Sequence, residues 1–250
     1  MGIITKNERR LAIRRENLEK YKNNLEDLGL LPADPERQAK IKVGDCTSGE
    51  WETTGKLINH YSNADPFFLV STWEVIPPGK PKERTNYTYI SERKIGLCVV
   101  PIVNKKFVVL VKQHRFSLSK WRTEIPRGTV SGKKEDPETL LFQELPALKK
   151  VASLDNVVRI SLPKGVDQNS GTHDGTTHYF VAHFKSSVDS AFQLKEALEE
   201  YPRQDLKALA FTLEEMNALE DQGVVYDQHS LTSWYLAKKH LRNSFNIPII

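Results

Sequence analysis

The chain has 250 residues, of which 39% are hydrophobic and 27% charged, and a formal net charge of +4. That length buries a substantial core in one large domain or two modest ones, and the proportions are those of a soluble globular protein. No apolar run approaches the roughly 18 residues needed to cross a bilayer. The opening MGIITKNERR has no apolar signal region, and Lys6 stands where a myristoylation motif needs Ser or Thr, so a cytoplasmic location is expected. Cys46 and Cys98 are too few for a disulfide framework or a thiolate metal site. The mild positive charge is compatible with an anionic small ligand and discriminates little.

Residues 6 to 28 read as a helix. Leu11, Leu18 and Leu25 repeat at seven, with Tyr21 and Leu28 filling the alternate positions of the heptad, and Gly29 and Pro32 follow as stop signals. Arg9, Arg10, Arg14 and Arg15 on this helix read as a solvated face, so nucleic acid is not expected as a partner. Residues 32 to 66 read as a polar, irregular linker with one short helix near Asp34 to Lys42.

Strands are expected at Phe67 to Ile76, Arg84 to Ser91, Ile95 to Val103 and Lys106 to Val111, with turns at Pro77 to Lys80 and at Asn104-Lys105. Cys98, inside IGLCVVPIV, reads as a core residue. Asp136 and Pro137 cap and start a helix running to Leu145. Strands follow at Val157 to Leu162 and Thr177 to Lys185, separated by the polar loop KGVDQNSGTHDG. A helix at Ser190 to Glu200, a strand at Asp205 to Phe211, and helices at Leu213 to Gln222 and Ser230 to Arg242 complete the chain. Interleaved strands and helices predict an α/β layered architecture.

The chemistry-bearing stretch is VVLVKQHRFSLSKWRTEIPRGTVSGKKEDPETLLFQELPALKKV, residues 108 to 151. A strand leads into Gln113-His114-Arg115, a loop into Glu124-Ile125-Pro126-Arg127-Gly128, and a charged turn with Glu135 into the capped helix with Glu144. This order resembles the Nudix hydrolase superfamily in its ADP-ribose-pyrophosphatase branch. That family's box reads G-x5-E-x7-R-E-U-x-E-E-x-G-U, with U aliphatic, and the branch adds Q-x-R and E-x-P-x-G before it. The resemblance extends over about 180 residues, and outside the box it includes Glu92–Pro101 and the closing segment with Gly223 and Asp227.

The resemblance implies a Nudix-fold α/β/α sandwich with an N-terminal helical extension and a small antiparallel sheet. Residues 1–65 would form the extension and linker and 66–250 the Nudix-like domain, with N-terminal strands at 66–94 and the core at 95–250. In that family, carboxylates on one helix face hold the divalent ions that neutralise phosphoryl oxygens and position water. Here R-E-U-x-E-E becomes Gln143-Glu144-Leu145-Pro146-Ala147-Leu148, so one of its three carboxylates remains. Pro146 should end the helix. A conventional set of Mg²⁺ or Mn²⁺ ions is therefore not expected, although Glu144, Glu135, Asp167 and Asp174 are the candidate ligands.

Catalytic candidates are Glu144, Glu135 and His173, the last as a general base, with His114 as a further acid–base candidate. Arg115, Glu124, Arg127 and Gly128 are candidates to hold the ligand. Arg115 reads equally as a phosphate contact or as a strand-end partner of Glu124. Tyr87, Tyr89 and Phe116 could stack on a base or pack the sheet. His173, Asp174 and His178 resemble a metal-ligand cluster, but their spacing matches no zinc pattern. Two readings stay open: a protein binding a nucleotide-like ligand with little hydrolysis, or a pyrophosphohydrolase of ADP-ribose-like compounds with altered metal demand. The family branch implies a homodimer, for which the apolar stripe of the first helix offers a further surface.

Overall fold

A computed structural model describes residues 5–27, 43–48, 50–61, 68–92, 95–115, 118, 120–130, 136–163, 165–169, 173–200 and 206–247. They divide into two compact units. The first holds the described residues up to Ile95 together with Asp167–Gly175, and the second holds the remainder. The fold is mixed α/β, as expected.

In the first unit, helix α1 (Lys6–Asp27) accompanies the antiparallel ribbon β1 (Glu52–Tyr61), β2 (Phe68–Ile76) and β3 (Thr85–Glu92). Leu18 is 4% exposed and joins Val43, Trp73 and Val75 in a small core, with Leu11 and Tyr21 packed against it. The heptad side chains thus face the sheet, while the side chain of Leu25, residue Leu28 and the helix expected near Asp34 to Lys42 lie outside the described residues. The Tyr21 ring meets Trp73 edge-on at 4.7 Å, and its hydroxyl pairs with Ser71 Oγ at 3.0 Å.

Two expectations for this unit fail. The linker expected over 32 to 66 contains β1, preceded by a short 3-10 turn at Cys46–Ser48. The arginine face is not wholly solvated either. Arg9 and Arg15 are exposed, but Arg14 is 8% exposed, and its guanidinium pairs with Glu52, which is 0% exposed. Burial, then repulsion from Arg10, pulls the Arg14 pKa below its ordinary value. A buried charge demands a partner, and β1 supplies it.

In the second unit, β4 (Ile95–Val103) is buried along its whole length, as a strand covered on both faces must be. It pairs in parallel with β10 (His173–Lys185) and antiparallel with β5 (Phe107–Arg115), and β5 pairs with β11 (Leu206–Thr212). β6 (Lys120–Glu124) joins β5, β7 (Arg127–Val130) joins β4, and β8 (Ser153–Arg159) joins β10. The strand expected over Val157 to Leu162 thus begins and ends earlier in the chain. At the β4–β5 turn, Asn104 and Lys105 take left-handed φ values of 53° and 57°. The Asn104 amide holds that turn by donating to the carbonyls of Ser186 and Val188, each at 2.9 Å.

The helices are α2 (Pro137–Glu144), α3 (Leu148–Val151), α4 (Ala191–Glu199), α5 (Leu213–Asp221) and α6 (Gln228–Phe245). Asp136, Ser190, Thr212 and Asp227 cap α2, α4, α5 and α6 by accepting from backbone N–H groups of the first turn. Trp234, 0% exposed, centres the core formed by Val100, Ile102, Val108 and Leu110 with α5 and α6. The loop expected over 164 to 175 instead carries β9 (Val166–Asn169) and the start of β10, where His173 pairs with Ile90.

Behind this core, His183 Nε2 and His240 Nε2 stand 3.1 Å apart. His183 Nδ1 is buried without a hydrogen-bond partner, so the less costly arrangement has Nε2–H of His183 donating to His240. His240 Nδ1 then donates to Ser244 Oγ at 3.3 Å. Burial, with His240 and Lys105 nearby, lowers the His183 pKa from 6.5 to about 4. In the folded state the charged form is disfavoured, so between pH 6.5 and 4 the unfolded chain binds more protons. The stabilising share of this pair is full above pH 6.5 and falls as pH drops towards 4. Urea titrations across that window should show a stability slope that flattens in His183→Asn; an unchanged slope would refute the assignment.

Candidate functional site

The box segment is organised around the close approach of β7 to α2. A Cβ placed on Gly128 would lie 2.5 Å from Leu140 Cδ1 and 3.8 Å from Glu144 Oε1. Leu140 is only 3% exposed, so it has little room to yield. Gly128→Ala should therefore cost about 2 kcal/mol through overpacking, read as a lowered urea midpoint. A neutral result would mean that the helix shifts without penalty.

Beside this contact lies a charged network. Glu124, 2% exposed at the end of β6, accepts from Arg115 Nε at 3.1 and 3.0 Å and from Arg115 Nη2. Arg127 Nη2 lies 3.3 Å from the same carboxylate, while Arg127 Nη1 donates to Asp227 Oδ1 at 3.1 Å. Asp227 also caps α6, and Ser230 Oγ of that helix accepts from Ile125 N at 2.9 Å. The two arginines are thus balanced by two carboxylates. Arg115 is thus paired with Glu124, while 29% of its side chain and 25% of that of Arg127 remain exposed. Asp227, Ser230 and the Tyr179–His229 contact at 3.1 Å belong to this neighbourhood and were not among the expected site residues. Their partners lie between 50 and 105 positions apart in sequence, beyond any local pattern.

Glu144 ends α2, half-buried. Pro146 follows immediately, and the helix stops as expected. Ala147 and Leu148 occupy the positions where the resemblance wants paired carboxylates, and they are 3% and 0% exposed. Leu148 opens α3 with its side chain buried in the packing, so the residues that follow α2 do not fit a conventional two- or three-ion set. Among the described residues, one group of three metal-capable side chains comes within mutual ligand distance: Asp45, Cys46 and Glu52, in the first unit. Glu52 there is already committed to Arg10, Arg14 and the Cys46 N–H, and Asp45 accepts from Thr47. That donor set fits an arginine clamp better than a cation.

Glu135 and Phe116 lie outside the described residues, as do the side chains of Tyr89, His173 and Asp174. Asp167 is exposed on β9. His178 is 4% exposed and contacts Arg159 through Nδ1, so the expected metal-like cluster gains no support from it. Tyr87 is half-buried beside Trp51, with ring centroids 5.4 Å apart, and sits opposite Trp73 in the ribbon. His114 is exposed and meets Trp121 edge-on at 5.9 Å. Burial raises the Cys98 thiol to about 12, which leaves it a core residue. A cavity of about 270 Å³ opens at the end of α2, between that end, α4 and β11.

No family model matches the chain, and no curated protein matches it in sequence. Among solved structures it is similar to one described as an ADP compounds hydrolase. The TM-score is 0.55 and the identity 11%, over 77% of this chain and 96% of that one. At that identity the likeness establishes the α/β fold and leaves the chemistry to the site. Among the described residues, no helix is long and apolar enough to cross a membrane.

Proposed function

We propose that this chain is a Nudix-type protein of the ADP-ribose-pyrophosphatase-like branch whose pocket holds a nucleoside-diphosphate-type ligand with little conventional hydrolysis. One observation carries the reading: α2 presents Glu144 where three carboxylates are needed, and Ala147 and Leu148 are buried at the other two positions. Hydrolysis of a diphosphate with magnesium depends on that anionic grip. The partly exposed guanidiniums of Arg115 and Arg127 supply donors of the geometry that phosphate oxygens accept. The similar solved structure, named for acting on ADP compounds, supports the choice of ligand class.

Calorimetry of the whole chain with ADP-ribose, in the absence of metal, should give measurable heat. Incubation with Mg²⁺ or Mn²⁺ should release AMP no faster than the buffer control. Metal-dependent AMP release that disappears in Glu144→Gln would overturn the binding-only reading in favour of an active pyrophosphohydrolase. No heat with ADP-ribose would remove the proposed ligand class. A homodimer and a cytoplasmic location go with this proposal, and a monomeric mass by light scattering would remove the first.

A further inference from the structure

We infer that, on the diphosphate-binding reading proposed above, Arg122 is the side chain that takes the phosphate oxygens, with Tyr226 holding it in position. β6 places Arg122 two residues before Glu124, so both side chains leave the same face of the strand. In the β5–β6 register Lys120 stands opposite Arg115, Arg122 opposite Gln113 and Glu124 opposite Val111. The Arg115 side chain therefore runs back past the position of Arg122 to reach Glu124. From the other side, Tyr226 directly precedes Asp227, the carboxylate that pairs with Arg127. Arg122 is thus built into the edge of the arginine network without belonging to it.

What separates the three guanidiniums is how each is already engaged. Arg115 is held by Glu124, and Arg127 by Glu124 and Asp227, so much of their charge is spent inside the chain. Arg122 is half-buried, and among the described residues it has neither an ion pair nor a hydrogen bond. Its contact is with the Tyr226 ring, whose centroid lies 3.7 Å from Cζ. At that separation the planar group lies against the ring instead of pointing an N–H into it. Stacking engages the face of a guanidinium and leaves its N–H donors, which lie in its plane, directed outwards. Tyr226 thus limits the freedom of Arg122 without using any donor, and the ring itself is 45% exposed. A cation held in this way, with its donors unspent, suits an oxyanion better than two arginines already holding carboxylates.

Calorimetry of the whole chain with ADP-ribose, without metal, should show Arg122→Gln weakening binding about tenfold. Arg122→Lys should regain only part of that loss, since an ammonium keeps the charge and loses the paired donors. Tyr226→Leu should weaken binding about threefold, by releasing the side chain. Lys120→Gln removes an exposed charge from the same face of β6 and should change affinity less than about twofold. The urea midpoint of Arg122→Gln should stay near that of the parent chain, which separates lost binding from lost folding. Parental affinity in Arg122→Gln, or an equal loss in Lys120→Gln, would overturn the inference. Inorganic pyrophosphate, followed by phosphorus NMR, separates the anion grip from the nucleotide. Pyrophosphate binding that disappears in Arg122→Gln, with no heat from ADP-ribose, would keep the grip and remove the ligand class. Binding of neither probe would remove both.

Discussion

Glu124→Gln should lower the unfolding free energy by about 3 kcal/mol. Unfolding of a chain this size then begins roughly 9 °C earlier. The glutamine keeps the shape of the side chain but not its charge. One carboxylate, 2% exposed, currently serves Arg115 through Nε and Nη2 and Arg127 through Nη2. With an amide in its place, two guanidiniums face each other across a neutral group whose NH₂ cannot accept from either. Their partial exposure, 29% and 25% of the side chain, lets water recover some of the loss, which keeps the estimate at the lower end for a broken buried pair. Arg115→Lys tests the geometry separately, because an ammonium retains the charge and forfeits the paired donors. It should cost about 1 kcal/mol. Thermal and urea unfolding measure both, and a Glu124→Gln loss below that of Arg115→Lys would show that the network is screened rather than buried.

The same network shows where sequence reading reaches and where it stops. Arg115 and Glu124 are nine residues apart on adjoining strands, so their pairing was one of two explicit alternatives. Arg127 and Asp227 are 100 apart and could be joined only by the fold. Strand β4 and the first half of β5 were legible because burial on both faces writes continuous apolar runs, and α2 because Asp136-Pro137 starts it and Pro146 stops it. β1 was not legible. Its pairing with β2 shifts register on either side of Leu57, so apolar and polar residues do not alternate. Gly55 within it takes φ of 80°, and a Cβ there would press to 3.1 Å from Asn17 of α1. β9 is the four polar-flanked residues Val166–Asn169, too short and too polar to carry a period. The loss of paired carboxylates at Ala147 and Leu148 was plain from spelling alone. That the vacated ground adjoins an apolar cavity depends on α4 and β11, which arrive some 50 residues later in the chain.

Arg14 makes the same point energetically, and it leads to the largest effect expected in the first unit. Read along the helix, Arg9, Arg10, Arg14 and Arg15 look like one solvated face. In three dimensions Arg14 and Arg10 converge on Glu52, which is 0% exposed and also accepts from Cys46 N at 3.1 Å. Glu52→Gln should cost about 4 kcal/mol, because it strands two neighbouring cations, one of them buried, with Asp45 at 3.8 Å from Arg10 in partial compensation. The stranded charge, rather than the lost attraction, dominates that penalty. Removing the buried cation as well should therefore restore stability: Glu52→Gln/Arg14→Met should be more stable than Glu52→Gln alone, by about 2 kcal/mol. Methionine keeps most of the arginine stem's packing without its charge. Urea unfolding of the two single variants and the double completes the cycle. If the double variant loses as much as the sum of the singles, the two side chains do not couple and the desolvation argument for α1 fails.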